Sequence, residues 1–90
     1  MNAAIILFVD TIYEKKWSGL CFNGQKDLGQ RLTNVPFESC RDMCTQDPHC
    51  IGYAINPNDV CWITKENERM EKWNDTSNGN AVCYQKIRGN

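Results

Sequence analysis

Six cysteines and a single histidine are the residues of this 90-residue chain with the most chemistry to offer. Cysteine can hold a metal, attack as a thiolate or oxidise to a disulfide, and spacing separates the three uses. Between successive cysteines lie 18, 3, 5, 10 and 21 residues. Zinc modules present paired ligands two to four residues apart twice over; here only Cys40 and Cys44 stand so close, and His49 abuts Cys50. The metal reading fails, and no cofactor is implied. A nucleophile built from Cys50 and His49 needs a free thiolate, which a bridge at Cys50 removes, so His49 reads as a turn residue. With no HExxH, no GxSxG and no glycine-rich phosphate loop, the chain reads as a non-catalytic binding module, not an enzyme.

Disulfides are also what the composition asks for. Leu, Ile, Val and Phe make up only 18 of 90 residues, a thin apolar supply for a chain that must offset its own conformational entropy. Ten Lys and Arg against eleven Asp and Glu give a net charge of -1 and an isoelectric point near 5.7, and the longest basic run is Lys15-Lys16. Nucleic acid is therefore excluded as a partner. No apolar stretch approaches the length of a transmembrane span.

The cysteines sit on recognisable elements, and residues 36–46 predict a short helix. Pro36 suits its first turn, Glu38 its positive end, and Phe37, Cys40 and Cys44 share a face before Asp47-Pro48 stops it. Cys40 and Cys44 are one turn apart, poorly placed to bond each other, and so need separate partners. Residues 50–55 and 60–64 are β-rich and flank Asn56-Pro57-Asn58-Asp59, a hairpin signal. Residues 81–87 predict the last strand. Six cysteines allow fifteen pairings and spacing alone does not choose. Local geometry favours Cys44 with Cys50 just past the helix, Cys40 with a core-facing Cys61, and Cys21 with Cys83, a nested set.

The segment from Phe37 through Cys40, Cys44, Cys50, Gly52, Tyr53 and Ala54 to Cys61-Trp62-Ile63 resembles the PAN/apple superfamily. Cys21 and Cys83 match the additional bridge of its apple subset, and the pairing that the resemblance implies agrees with the nested set. The resemblance covers about residues 17–88 by its cysteine pattern. It implies an α+β, small disulfide-rich fold, an antiparallel sheet of about five strands cradling one helix, which is also the layering that the element order suggests. It also implies extracellular binding of proteins or glycans without catalysis; a fold does not choose among such ligands.

Residues 1–16 stand apart, as an apolar strand or a processed segment, before a single PAN/apple-like domain at 17–90. The run Ala3 to Val9 lacks a preceding Lys or Arg, is cut by Asp10 and has no Ala-x-Ala-like site before Cys21; a strand suits it better than a cleaved signal. The polar connection at 64–80 holds Trp73, Asn74 and Asp75, which could stack on a sugar or anchor a protein, or in Trp73's case fold back over the sheet. Asn74-Asp75-Thr76 is a glycosylation sequon. Parity turns Trp62 away from Cys61 and Ile63, towards an exposed aromatic patch with Tyr53 or Tyr84. Lys15, Lys16, Lys86 and Arg88 would converge if the first and last strands meet, as a sulfated-glycan patch or a guarded edge.

The expected protein is a secreted or surface-exposed glycoprotein, an adhesion module that binds a protein partner through Trp73, Asn74, Asp75, Trp62 and Tyr53. The alternatives are a lectin-like carbohydrate-binding module and a secreted inhibitor.

Overall fold

In the computed structural model the described residues are 11–22, 30–66, 70–72 and 79–88. They form β1 (Ile12–Ser18), β2 (Gln30–Leu32), α1 (Phe37–Gln46), β3 (Cys50–Ile55), β4 (Cys61–Lys65) and β5 (Val82–Arg88). The five strands make one antiparallel sheet in the order β1-β5-β3-β4-β2, with the helix on one side: an α+β domain. The apolar run at 3–9 lies outside the described residues. Sequence spacing starts the domain at Trp17, but the pairing of β1 with β5 carries the sheet back to Ile12.

Three disulfides, Cys21–Cys83, Cys40–Cys61 and Cys44–Cys50, use every cysteine. Two lie on the helix side. There Cys40, Cys44, Cys50, Tyr53, Ile55, Cys61 and Ile63 form one buried cluster, as strand alternation requires of 53, 55, 61 and 63. Cys50 has the wrong parity for that face; a break in the β3–β4 register between Cys50 and Gly52 resets the alternation and lets it meet the helix.

The opposite face is covered too, and this corrects the expectation for Trp62. Parity does turn Trp62 away from Cys61, but onto a second buried cluster with Leu20, Cys21, Phe22, Ala54, Val60, Ala81 and Cys83, leaving it 4% exposed. The segment after β1 is drawn over this face by the Cys21–Cys83 bond and by backbone bonds from Gly19 N–H to the Ala81 carbonyl (2.7 Å) and from Glu71 N–H to the Cys21 carbonyl (2.8 Å). Met70 and Trp17 pack at its margin, Trp17 donating from Nε1 to the Leu20 carbonyl at 2.7 Å. Tyr53 and Tyr84 belong to the helix face, so no patch joins them to Trp62.

Helix α1 has only two buried residues, Cys40 and Cys44, both bridged. Pro36 precedes it without a side-chain cap, and its last turn holds no basic residue. Lys86 of β5 supplies the missing cation, donating to the Cys44 carbonyl at 2.7 Å and the Asp47 carbonyl at 3.1 Å. A cation there also complements the negative end of the helix. Lys86 is thereby removed from the basic patch expected with Lys15, Lys16 and Arg88.

Gly52 is required where β3 passes β5. A Cβ there would stand 2.7 Å from the Tyr84 carbonyl oxygen, and backbone on both sides of that contact is held in the sheet. Gly52→Ala is expected to lose about 1–3 kcal/mol, the usual cost of overpacking, in denaturant unfolding of the oxidised protein. An unchanged midpoint would show that the strands separate without cost. Among the bridges, the chain-entropy cost of closure ranks Cys21–Cys83, spanning 62 residues, above Cys44–Cys50, spanning 6. Replacing the first pair by Ala is expected to cost about 4 kcal/mol and the second about 2.5.

Candidate functional site

The sheet and helix leave a groove of about 290 Å³ where the N-terminus of α1, the β3–β4 turn and the start of β5 come together. Its size is at the lower end for small-ligand sites, suited to one side chain or one sugar ring. Phe37 from the helix, Ile55 from β3, Pro57 from the turn, and Val82 and Tyr84 from β5 give it an apolar lining. Asn56, Asp59 and Asn80 add the polar part.

Each wall has a local cause. Asn56 folds the turn back on itself: its Oδ1 accepts from the N–H groups of Asn58 (2.9 Å) and Val60 (3.1 Å), the side-chain mimic of a backbone turn that Asn favours. Asp59 then takes a left-handed backbone conformation, φ 60°, and its carbonyl accepts from Val35 N–H at 2.8 Å, tying the turn to the approach to the helix. On the far side Gly79 and Asn80 are left-handed as well, at φ 63° and 61°. A Cβ on Gly79 would come within 3.1 Å of Asn56 Nδ2. Two of the three non-glycine left-handed residues described therefore line this groove, both of the Asn or Asp type that tolerates this backbone in turns.

The aromatic wall rests on Tyr53, which is 1% exposed. Tyr84 stacks on it at 5.2 Å and 19°, while Tyr13 and Phe37 meet it edge-on at 5.0 and 6.1 Å. Phe37 also meets Tyr84 edge-on at 5.8 Å, geometries in which aromatic pairs attract. Burial pushes the Tyr53 phenol well above its ordinary pKa, with the neighbouring Tyr84 adding to it. Tyr13 hydrogen-bonds Thr45 at 2.9 Å, and Thr45 in turn donates to the Arg41 carbonyl at 2.9 Å. That fastens the edge strand to the helix.

The structure redistributes the expected contact residues. Tyr53 and Trp62 are buried on opposite faces and offer no surface to a ligand. Trp73, Asn74 and Asp75, with the sequon, lie outside the described residues. The residues that do present apolar surface beside a cavity, Phe37 at 43% exposure and half-buried Tyr84, were legible only in part: the helical face put Phe37 inward with Cys40 and Cys44. Phe37 does face the sheet, edge-on to Tyr53 and Tyr84, but its ring stays partly exposed at the groove.

A second polar cluster sits at the other end of the helix. The Asp47 carboxylate accepts from the Lys65 ammonium and from His49 N–H, and His49 Nδ1 lies 2.8 Å from Glu66 Oε1 in an exposed pair. Cys50 is bonded to Cys44, so it offers His49 no thiol. Among the described residues no group of three or more His, Cys, Asp or Glu is placed to hold a metal ion, and no helix is long and apolar enough to cross a membrane.

No protein-family model matches the chain, nor does any curated protein or solved structure.

The bond from Lys65, followed by that from His49 N–H, holds the Asp47 carboxyl below its ordinary pKa. The stability this contributes is complete above the unfolded value of about 3.9 and is lost as pH falls through the lower folded value. Asp47→Asn should therefore flatten the fall of melting temperature below about pH 4, where Asp normally titrates. A variant melting curve parallel to that of the parent across this range would remove Asp47 from the acid response.

Proposed function

We propose that this chain is an extracellular, non-catalytic adhesion module of the PAN/apple type that binds a protein partner, with the groove beside α1 as its recognition site. The observation that carries this reading is Phe37, a large aromatic 43% exposed on the wall of an open groove. Aromatic anchors dominate protein interfaces, and a partly exposed ring beside a groove offers one. The three bridges support an oxidising compartment, where disulfides persist. The cysteine pattern from Cys21 to Cys83, borne on a helix over a five-stranded sheet, is what supports the family.

A carbohydrate ligand is the second reading, favoured by Asn80 and Asp59 at the rim of an aromatic wall. A protein side chain is the better match for two reasons. Most of the lining is apolar, and Asn56 spends its Oδ1 on the turn.

A photoreactive benzophenone side chain in place of Phe37, on oxidised protein applied to intact cells, is expected to give light-dependent adducts to a surface protein. The same group in place of Gln46, at the opposite end of the helix, should give none. Absence of adducts at both positions, together with glycan-array binding that Tyr84→Ala abolishes, would replace the protein reading with the carbohydrate one.

A further inference from the structure

The charge in the groove lining is negative, and Arg41, one helical turn after Phe37, is held over the Tyr13 ring at 5.8 Å. Asp59 lines the groove directly and is solvent-exposed. Glu38, also exposed, follows Phe37 in the first turn of the helix. Among the described residues no Lys or Arg lines the groove, and neither carboxylate has a cationic partner. The opposing contribution is the helix N-terminus, whose dipole is equivalent to roughly half a positive charge. The full negative charge of Asp59, in the lining itself, outweighs it. The same lining holds the rings of Phe37 and Tyr84, which meet edge-to-face at 5.8 Å. An aromatic wall beside a carboxylate is the combination that attracts an organic cation carried on an apolar stem, because the ring quadrupole and the anion act in the same sense.

The geometry points to a cationic side chain, a lysine or arginine of the protein partner, as the group that the groove receives. Ile55, Val82 and Pro57 bury the methylene stem, while Asp59 and the aromatic wall meet the charge. This rests on the reading of the groove as the recognition site and adds the chemistry of its occupant. It also accounts for the polar residue at the left-handed position of the turn. Asn or Asp tolerates φ 60° there, and only Asp brings charge.

The test uses the full, oxidised chain, followed by amide NMR shifts during titration with three probes: the N-acetyl N-methylamides of lysine, norleucine and glutamate. The lysine probe is expected to shift the amides of Asn80, Val82 and Tyr84 saturably and to bind roughly fivefold more tightly than norleucine, the size of one exposed charge pair with a cation–π contact. Asp59→Asn should erase that preference while keeping the dispersion of the folded spectrum, because Asn adopts the same backbone conformation. Equal binding of lysine and norleucine, or preferential binding of glutamate, would overturn the cation inference and leave the groove as a recognition site. Shifts with none of the three would overturn it as well, and light-dependent adducts from position 37 would then show separately whether the groove binds a partner at all.

Discussion

A ten-residue helix that buries only two side chains, both cysteines, is held to its sheet by covalent bonds. Hydrophobic burial of an amphipathic face normally supplies the tertiary stability that a helix of this length lacks on its own. Here Phe37 and Met43 stay about two-fifths exposed, and besides the two cysteines α1 gives the core the edge of the Phe37 ring against Tyr53. Cys40–Cys61 anchors the helix to β4 and Cys44–Cys50 anchors it to the start of β3. Two bridges one turn apart fix its position and its rotation together. Lys86 completes the attachment from β5.

That attachment determines the groove. With Cys40 bonded to Cys61 of β4, Phe37 in the first turn of α1 meets Tyr53 and Tyr84 edge-on and lines the groove beside the β3–β4 turn, 43% exposed. The aromatic set of Tyr13, Tyr53, Tyr84 and Phe37 then runs from the edge strand across the sheet to the groove. The third bridge works on the other face, where Cys21–Cys83 lays Leu20 and Phe22 over Trp62 and Ala54. A thin apolar supply thus covers both faces of one sheet, because each covering segment is fastened to it through sulfur.

Much of this was legible in the sequence. The helix at 36–46, the hairpin around 56–59 and the final strand follow from proline placement, turn residues and alternation, and they appear as α1, β3–β4 and β5. Parity also separated Trp62 from Cys61 correctly. What parity does not contain is the cover. The order of residues along β4 does not say that Leu20 to Phe22 returns across the face of Trp62, since that contact depends on a pairing between Cys21 and Cys83 far apart in the chain. The burial of Tyr53 has a similar origin in contacts between distant segments. Tyr53, read as a surface aromatic, is the buried centre of the aromatic set, and its neighbours, exposed Phe37 and half-buried Tyr84, come from elements 16 and more residues away in sequence. The Lys86 contact likewise joins β5 to the end of a helix about forty residues earlier.

The central claim is that nested bridges, two on the helix and one across the opposite face, define the fold. Non-reducing peptide mapping tests it most directly. Cleavage after Lys and Arg and before Asp separates all six cysteines, since Arg41 and Asp42 part Cys40 from Cys44, Asp47 parts Cys44 from Cys50, and Asp59 parts Cys50 from Cys61. The expected result is three linked peptide pairs, Cys21 with Cys83, Cys40 with Cys61 and Cys44 with Cys50. Any other pairing, or free thiols at the helix positions Cys40 and Cys44, would contradict the account.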